Sequence, residues 1–277
     1  MPSRGSVDVS IVLGTFNRRD FLVAAIESVR SNGFTGSREI IVVDGGSSDG
    51  TIAWLAEQKD IVTIIQHNRG EFRGKPLRRR SWGYFMNLGF RAAEGRWVLM
   101  ISDDCLLLPG AIENGVRHGE SLIAGGRKIG GVAFYFRNWP MEQSYYVQET
   151  LGAHLMVNHG LFLREALDQV GFCNETDYMF YKADGDLNLR LWDAGYSIVE
   201  GPGAIVEHHV DDAELVRQDN NQTMRSDRAA YQRIWGHLGT QTAKRGIAFV
   251  DETHLADRVF GALRAPGEAV TPRGGSA

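Results

Sequence analysis

Apolar residues in this chain come in short runs that end in glycine and acid. Val7 to Leu13 is rich in Val and Ile, and Gly14-Thr15-Phe16-Asn17 closes it. Asp20 can then cap a helix whose apolar positions, Phe21, Leu22, Ala25, Ile26 and Val29, recur at helical spacing. Glu39 to Val43 repeats the pattern and breaks at Asp44-Gly45-Gly46-Ser47-Ser48-Asp49-Gly50, where Asp49 caps a helix through Ile52, Trp54 and Leu55. Ile61 to Ile65 is a third run. Strands that alternate with helices in this way predict a parallel, Rossmann-like sheet.

The stretch from Asn68 to Ser81 interrupts the rhythm with Arg69, Arg73, Lys75, Arg78, Arg79 and Arg80 against Glu71 alone. Ser81 opens a helix through Phe85, Leu88, Gly89 and Ala92, which ends at Gly95. The strand that follows, Trp97 to Cys105, runs into the adjacent acids Asp103 and Asp104 and stops at Leu108-Pro109-Gly110. Beyond it the periodicity predicts a helix from Gly110 to His118, a strand from Ile129 to Phe136, and a loop or irregular hairpin from Asn138 to Thr150. Further elements are a break at Gly160, a short helix from Arg164 to Val170, and a helix from Ala183 bearing Leu187, Leu191 and Trp192. Strand pieces from Ser197 to Glu207 then end at His208-His209. Tyr231, Ile234, Trp235 and Leu238 recur at helical spacing, and Glu252 to Leu263 forms a last amphipathic piece. A core over 1–210, split into a nucleotide-binding half (1–104) and an acceptor half (105–210), is expected. A helical extension over 211–264 and a disordered tail over 265–277 follow.

Composition narrows the classes. At 277 residues and 43% hydrophobic the chain can bury a full core. A net charge of −4 gives no basic footprint for nucleic acid, so none is expected as a partner. Two cysteines, Cys105 and Cys173, without CxxC spacing exclude a sequence-readable zinc ribbon or disulfide framework and fit a reducing, cytoplasmic setting. The opening residues lack an apolar core of signal-peptide length, and no run reaches the ~18 apolar residues of a membrane span.

Each candidate motif has a plain structural reading beside the chemical one. Acids at a strand end can bind a divalent cation through carboxylate oxygen, or simply close a turn. Asp44 and its glycine-rich turn can accept hydrogen bonds from a ribose or base at the carboxyl edge of a sheet, or only shape the turn. No GxGxxG or GxxxxGK[ST] is present. The arginine-rich stretch can meet a diphosphate with guanidinium forks, or be a solvated loop. Asp184 and Asp186 sit at i and i+2 on a helix start and therefore point in different directions. His208 is a metal ligand or a hydrogen-bonded structural residue. Trp139, Tyr145, Tyr146, Tyr178, Phe180 and Tyr181 stack on a sugar or fill the core, and both cysteines read as packing residues.

The order of these parts resembles the inverting nucleotide-sugar glycosyltransferases of glycosyltransferase family 2, which have the GT-A fold. The resemblance rests on Ser10-Ile11-Val12-Leu13-Gly14-Thr15-Phe16-Asn17-Arg18 and on Ile41-Val42-Val43-Asp44-Gly45-Gly46-Ser47-Ser48-Asp49-Gly50-Thr51. It continues through Asn87-Leu88-Gly89, Ala93-Glu94-Gly95, Ser102-Asp103-Asp104, Val170-Gly171-Phe172 with Glu175, and Asp184-Gly185-Asp186-Leu187 with Arg190 and Gly195-Tyr196. It implies an α/β fold, a Rossmann-like mixed sheet flanked by helices, with a helical C-terminal extension. It also implies that Thr15, Asn17, Arg18, Asp44, Arg69, Asn87 and Asp103 serve the donor nucleotide. Asp104 and His208 would hold Mn²⁺ or Mg²⁺, and Asp184 would be the general base. Gly14 and Gly45 stand where proline and asparagine are common, Ser102 where an Asp or Asn is usual, and Ala183 where a Glu is usual.

The activity so implied is transfer of a sugar from a nucleoside-diphosphate sugar to a carbohydrate or lipid-linked acceptor in polysaccharide, glycolipid or glycoconjugate synthesis. The location implied is cytoplasmic, with peripheral contact at the inner face of the membrane through the last helix as one option, against packing of that helix on its own core. A sugar nucleotidyltransferase and a non-catalytic carbohydrate-binding scaffold are the alternatives.

Overall fold

Burial on both faces decides which strand lies at the centre. In the computed structural model, which describes residues 7–210, 220–239, 243–248 and 254–263, strand β1 (Val9–Thr15) is buried along nearly its whole length. That is why it reads as a continuous apolar run rather than an alternating one. Helix α1 (Arg19–Arg30) follows and buries Leu22, Ala25, Ile26 and Val29. Its start is held by Asp49, not Asp20: the Asp49 carboxylate accepts the Arg19 N–H (2.9 Å) and, through its other oxygen, the Thr51 N–H (3.1 Å). One acid therefore caps two helices, because both begin at the same sheet edge. Strand β2 (Arg38–Asp44), helix α2 (Thr51–Glu57) and strand β3 (Ile61–Ile65) complete the expected alternation. β1 pairs in parallel with β2, and β2 with β3.

The arginine-rich stretch contains a minimal hairpin, β4 (Glu71–Phe72) and β5 (Lys75–Pro76). Helix α3 (Trp82–Ala92) is capped by Ser81 as its sequence predicts. Its buried face is Gly83, Met86, Asn87, Gly89 and Phe90, so of the predicted Phe85, Leu88, Gly89 and Ala92 only Gly89 belongs to it. Gly89 sets that face: a Cβ there would stand 2.4 Å from Val12 Cγ1, so the helix lies on β1 and β2 by its glycine edge.

The predicted strand from Trp97 into the acids is two strands. β6 (Trp97–Met100) pairs in parallel with β1, and β7 (Cys105–Leu107) pairs antiparallel with a later strand, so Ser102, Asp103 and Asp104 lie on the turn between them. The Cys105 N–H donates to the Ser102 carbonyl across that turn (3.2 Å). Helix α4 (Ala111–Ala124) precedes β8 (Ile129–Trp139), and the irregular segment resolves into a hairpin of β8 with β9 (Tyr145–Glu149). Burial on both sides of β9 hides the alternation that would have marked it. Short strands β10 (Leu155–Met156) and β11 (Gly160–Leu163), helix α5 (Arg164–Val170), helix α6 (Ala183–Asp193) and β12 (Ser197–His209) follow. β12 is one strand with an irregularity between Gly201 and Ile205, where the notional pieces met. Among the described residues the strands form an eleven-stranded mixed sheet whose main path runs β10-β9-β8-β11-β6-β1-β2-β3, with helices packed against it.

The C-terminal part supplies α7 (Met224–Trp235), β13 (Lys244–Ala248) on β9, and α8 (His254–Leu263). The segment 211–219 and the tail lie outside the described residues. α8 buries Ala256 and Phe260 against Leu106 and Trp139, so part of its apolar face packs on the protein itself. No helix among the described residues is long and apolar enough to cross a membrane.

β8 and β12 are tied by a buried ion pair, Arg137 Nε to Glu207 Oε2 at 2.7 Å, and Tyr145 donates its hydroxyl to the other oxygen. Arg137→Met should cost about 3–5 kcal/mol by leaving Glu207 buried without its cation. Urea denaturation should show that loss, and the Arg137→Met/Glu207→Leu double variant should recover part of it.

Candidate active site

The carboxyl edges of β1, β2 and β6 carry three turns, and one cleft of about 500 Å³ opens above them. Its volume is in the range of small-molecule sites. Thr15, Arg18, Asp103 and Asp104 line it, as do Arg69, Arg79 and Arg80 of the arginine-rich stretch, Tyr146, Asn158 and His159 from the second half of the sheet, and Phe180, Tyr181, Asp184 and His208.

At the acid turn Arg18 is the organiser. Its two terminal nitrogens meet Asp103 Oδ1 at 2.7 Å and Asp104 Oδ2 at 2.9 Å, while the Thr15 hydroxyl donates to Asp103 Oδ2 at 2.8 Å. Two adjacent carboxylates repel, and a guanidinium fork reconciles them. Asp103 is thus fixed by Thr15 and Arg18. The other oxygen of Asp104, Oδ1, faces His208 Nε2 at 3.5 Å. The second imidazole nitrogen of His208, Nδ1, lies 2.8 Å from Asn138 Oδ1. A carboxylate oxygen opposite an imidazole nitrogen whose other nitrogen is held by an amide is the donor arrangement a divalent cation uses, so the residues present fit one. His159, buried beside them, has its ring against the Cys105 sulfur at 3.5 Å and lies 5.1 Å ring to ring from His208. Burial, with the His208 ring next to it, lowers the His159 pKa to about 3, so this imidazole is neutral at physiological pH.

Asp184, the expected base, does line the cleft, at the start of α6. Burial raises its pKa above the ordinary carboxylate value, against the pull of the Gly185 N–H (2.8 Å) and the Lys182 charge. Asp186 points the other way, as the i, i+2 spacing predicts: it is buried and accepts from Trp235 Nε1 (2.9 Å), Arg190 Nε (2.8 Å) and the Tyr178 hydroxyl (3.2 Å). Ala183, where a Glu is usual, shares a buried cluster with Tyr178, Ala230 and Tyr231. The chain has filled that position with α7.

Other nominated residues stand behind the wall. Asp44 is fully buried; it accepts the Gly46 and Ser47 N–H groups (both 2.7 Å) and the Ser47 hydroxyl (2.6 Å), so it sets the turn that presents Gly45 to the cleft. Asn17, at φ 51°, accepts the Ser48 N–H (2.7 Å) and donates its own N–H to the Ser47 hydroxyl (2.8 Å), locking the first turn to the second. Asn87 is not among the residues that line the cleft: it is fully buried and spends its amide on Cys173 N–H and C=O (2.9 Å each) and Glu175 (2.7 Å). Of the six cations between Asn68 and Ser81, Arg69, Arg79 and Arg80 reach the cleft. Asn68 pinches the loop at its base, accepting from Arg80 N–H and donating to Arg80 C=O, and Arg69 stacks over Phe16 at 4.6 Å. Trp139, Tyr145 and Tyr178 are core residues, leaving Tyr146, Phe180 and Tyr181 of the aromatic set on the cleft wall.

Four contributors were not read as site parts from the sequence. His159 and Asn138 carried no motif. Asn220 lines the cleft from the extension and accepts from Arg79 at 2.8 Å. Asp227 on α7 accepts the N–H groups of Met179, Phe180 and Tyr181 (2.9, 2.9 and 2.8 Å), which holds the loop leading into Asp184. An Asp within an amphipathic helix gives no signal of that role.

Comparisons with known proteins bear on the family and the fold. The model of the family described as glycosyl transferase family 2 matches residues 10–170. Among curated proteins, y4gI of Sinorhizobium fredii is 27% identical over 240 residues, covering 75% of this chain and 25% of that protein. The succinoglycan biosynthesis protein ExoO of Rhizobium meliloti is 30% identical over 118 residues, covering 41% of this chain and 30% of that protein. The chain thus spans less than a third of the length of either relative. Among solved structures, the mannosyltransferase PcManGT from Pyrobaculum calidifontis, in complex with GDP-Man and Mn²⁺, superposes with a TM-score of 0.57 at 17% identity over 81% of this chain and 64% of that one. S. aureus TarS 1–349 gives 0.56 at 12% identity over 82% and 72%. At these identities the structures show a shared fold, the GT-A arrangement.

Proposed function

Because the chain belongs to glycosyltransferase family 2, we propose that its cleft takes a nucleoside-diphosphate sugar and transfers the sugar, with inversion, to an acceptor hydroxyl. The observation that carries this reading is that a single carboxylate of raised proton affinity, Asp184, shares one cleft with three arginines and the Asp103–Asp104 turn.

Asp184 takes the acceptor hydroxyl's proton as that oxygen bonds to the anomeric carbon. The bond to the diphosphate oxygen breaks with its electron pair leaving on the phosphate. Arg69, Arg79 and Arg80 offer guanidinium forks to the charge that develops there. A divalent cation, Mn²⁺ or Mg²⁺, held by Asp104 and His208 would add positive charge at the same place. With the leaving group stabilised by cations, one catalytic carboxylate suffices, where a glycosidase needs two. Thr15 and Arg18 fix the acid turn, and Asp44 and Asn17 fix the turns on which the nucleoside rests. The acceptor is a carbohydrate or lipid-linked carbohydrate in surface polysaccharide synthesis at the cytoplasmic side of the membrane; the partial likeness to a succinoglycan biosynthesis protein supports that class.

Thermal shift with a panel of nucleoside diphosphates and nucleotide sugars, with and without Mn²⁺, tests the reading. A ligand at 100 times its Kd should add about 2.7 kcal/mol of stability, and the anomeric proton of the product should report inversion by NMR. Pyrophosphate release from a nucleoside triphosphate would mark nucleotidyl transfer instead. Donor binding without turnover would mark a scaffold, and no shift with any nucleotide would end the proposal.

A further inference from the structure

The cleft takes up Arg69, Arg79 and Arg80 and leaves three cations of the arginine-rich stretch without a use: Arg73, Lys75 and Arg78. All three are exposed, and none forms an ion pair among the described residues. They sit on a built element. β4 and β5 pair with each other and with no strand of the main sheet. Arg73 and Gly74 between them have φ of 52° and 72°, the signs a type I′ hairpin turn requires. The Leu77 N–H donates to the Gly70 carbonyl (2.9 Å), and Asn68 clamps the base through Arg80. Residues 71–76 are all exposed, and a Cβ at Gly70 or Gly74 would meet nothing within 4 Å, so the hairpin stands clear of the body.

The hairpin also carries the most exposed large hydrophobic side chain among the described residues, Phe72, at 64%. Phe72 pairs across the ribbon with Lys75, so the two project from one face, and the Arg73 guanidinium lies 5.2 Å from the ring centroid. Arg73, Lys75 and Arg78 stand against Glu71 alone, on a chain whose net charge is −4. A phenyl ring among cations matches the surface of an anionic bilayer, where the ring reaches acyl chains and the cations meet lipid phosphate. A single-stranded RNA would want a groove with successive stacking rings. This hairpin stands out from the surface and bears one ring.

We propose that the β4–β5 hairpin docks the protein on an anionic lipid surface, with Phe72 entering the boundary between headgroups and acyl chains and Arg73, Lys75 and Arg78 on the lipid phosphates. The arginines at the foot of the hairpin, Arg69, Arg79 and Arg80, line the cleft, so docking sets the cleft beside the bilayer. The inference rests on the proposed function only for the purpose of the contact, which is access to a lipid-linked acceptor. The surface itself follows from the hairpin's shape and charge.

Flotation of the full chain with lipid vesicles is the test. Wild type should float with equimolar phosphatidylcholine and phosphatidylglycerol, stay behind with phosphatidylcholine alone, and be released by added salt. The triple variant Arg73→Gln/Lys75→Gln/Arg78→Gln should bind on the order of 100-fold more weakly, at about fivefold per charge, and Phe72→Ala about tenfold more weakly. These side chains are exposed and outside the cleft, so the melting temperature of each variant, and its rise with a nucleoside diphosphate, should match wild type. Wild type that stays behind with the anionic vesicles overturns the proposal, as does flotation that survives the triple variant. Retention of a single-stranded RNA through the same three cations, without flotation, overturns it in favour of nucleic acid. Vesicle binding is measured without nucleotide, so the two readings fail separately: nucleotide binding without flotation ends this inference alone, and flotation without nucleotide binding ends the transfer reading alone.

Discussion

Asp184→Asn is expected to lower the rate of sugar transfer by about 10²–10⁴-fold, the usual contribution of a positioned general base, while the calorimetric Kd for the donor stays close to wild type. The fold should not suffer. Asn keeps an oxygen for the Gly185 N–H, and because burial raises the Asp184 pKa, its ionised form is a burden on the folded state above the unfolded carboxylate pKa. Neutral Asn removes that burden, so the variant's melting temperature at pH 7 should equal or exceed that of wild type. The same shift has a kinetic consequence: transfer is full where Asp184 is ionised and falls as pH drops through its raised pKa. The acid limb of kcat/KM should therefore lie above the ordinary aspartate range and vanish from the residual activity of Asp184→Asn. A variant that transfers sugar at the wild-type rate would remove Asp184 from the mechanism.

Asp104→Ala should abolish the cation dependence of donor binding. Loss of even an outer partner of a metal site costs 10–100-fold in affinity, so loss of a direct ligand should cost about 100-fold or more. Calorimetry with and without Mn²⁺ should show two different donor affinities for wild type and one, weak, for the variant. If the variant retains the wild-type enhancement by Mn²⁺, the cation is bound elsewhere.

The first half of the sheet was legible because β1 and most of β2 are buried on both faces, β3 is a short apolar run at the sheet's edge, and the turns are glycine-rich. β1, β2 and β3 follow as written, and the i, i+2 separation of Asp184 and Asp186 correctly sent them in different directions. What failed did so for physical reasons. β6 and β7 read as one strand because the acid turn between them, Ser102 to Asp104, contains no glycine or proline. Asn87 spends its amide on Cys173 and Glu175, far along the chain, and Asp44 spends its carboxylate on the turn that follows it, uses that residue type alone does not distinguish from ligand contact. The Cys105–His159 contact joins residues 54 positions apart, and no spacing rule reaches that far.

The three amides that Asp227 gathers have a consequence for how the protein is made. A chain emerging from the ribosome completes β1 to β6, and with them the turns proposed to carry the nucleoside, more than a hundred residues before α7 appears. The Met179, Phe180 and Tyr181 N–H groups of the loop that leads into Asp184 lack their Asp227 acceptor until then. On the proposed reading, a product truncated ahead of α7 would hold donor without spending it, so the capacity for chemistry would come later in synthesis than the capacity to bind.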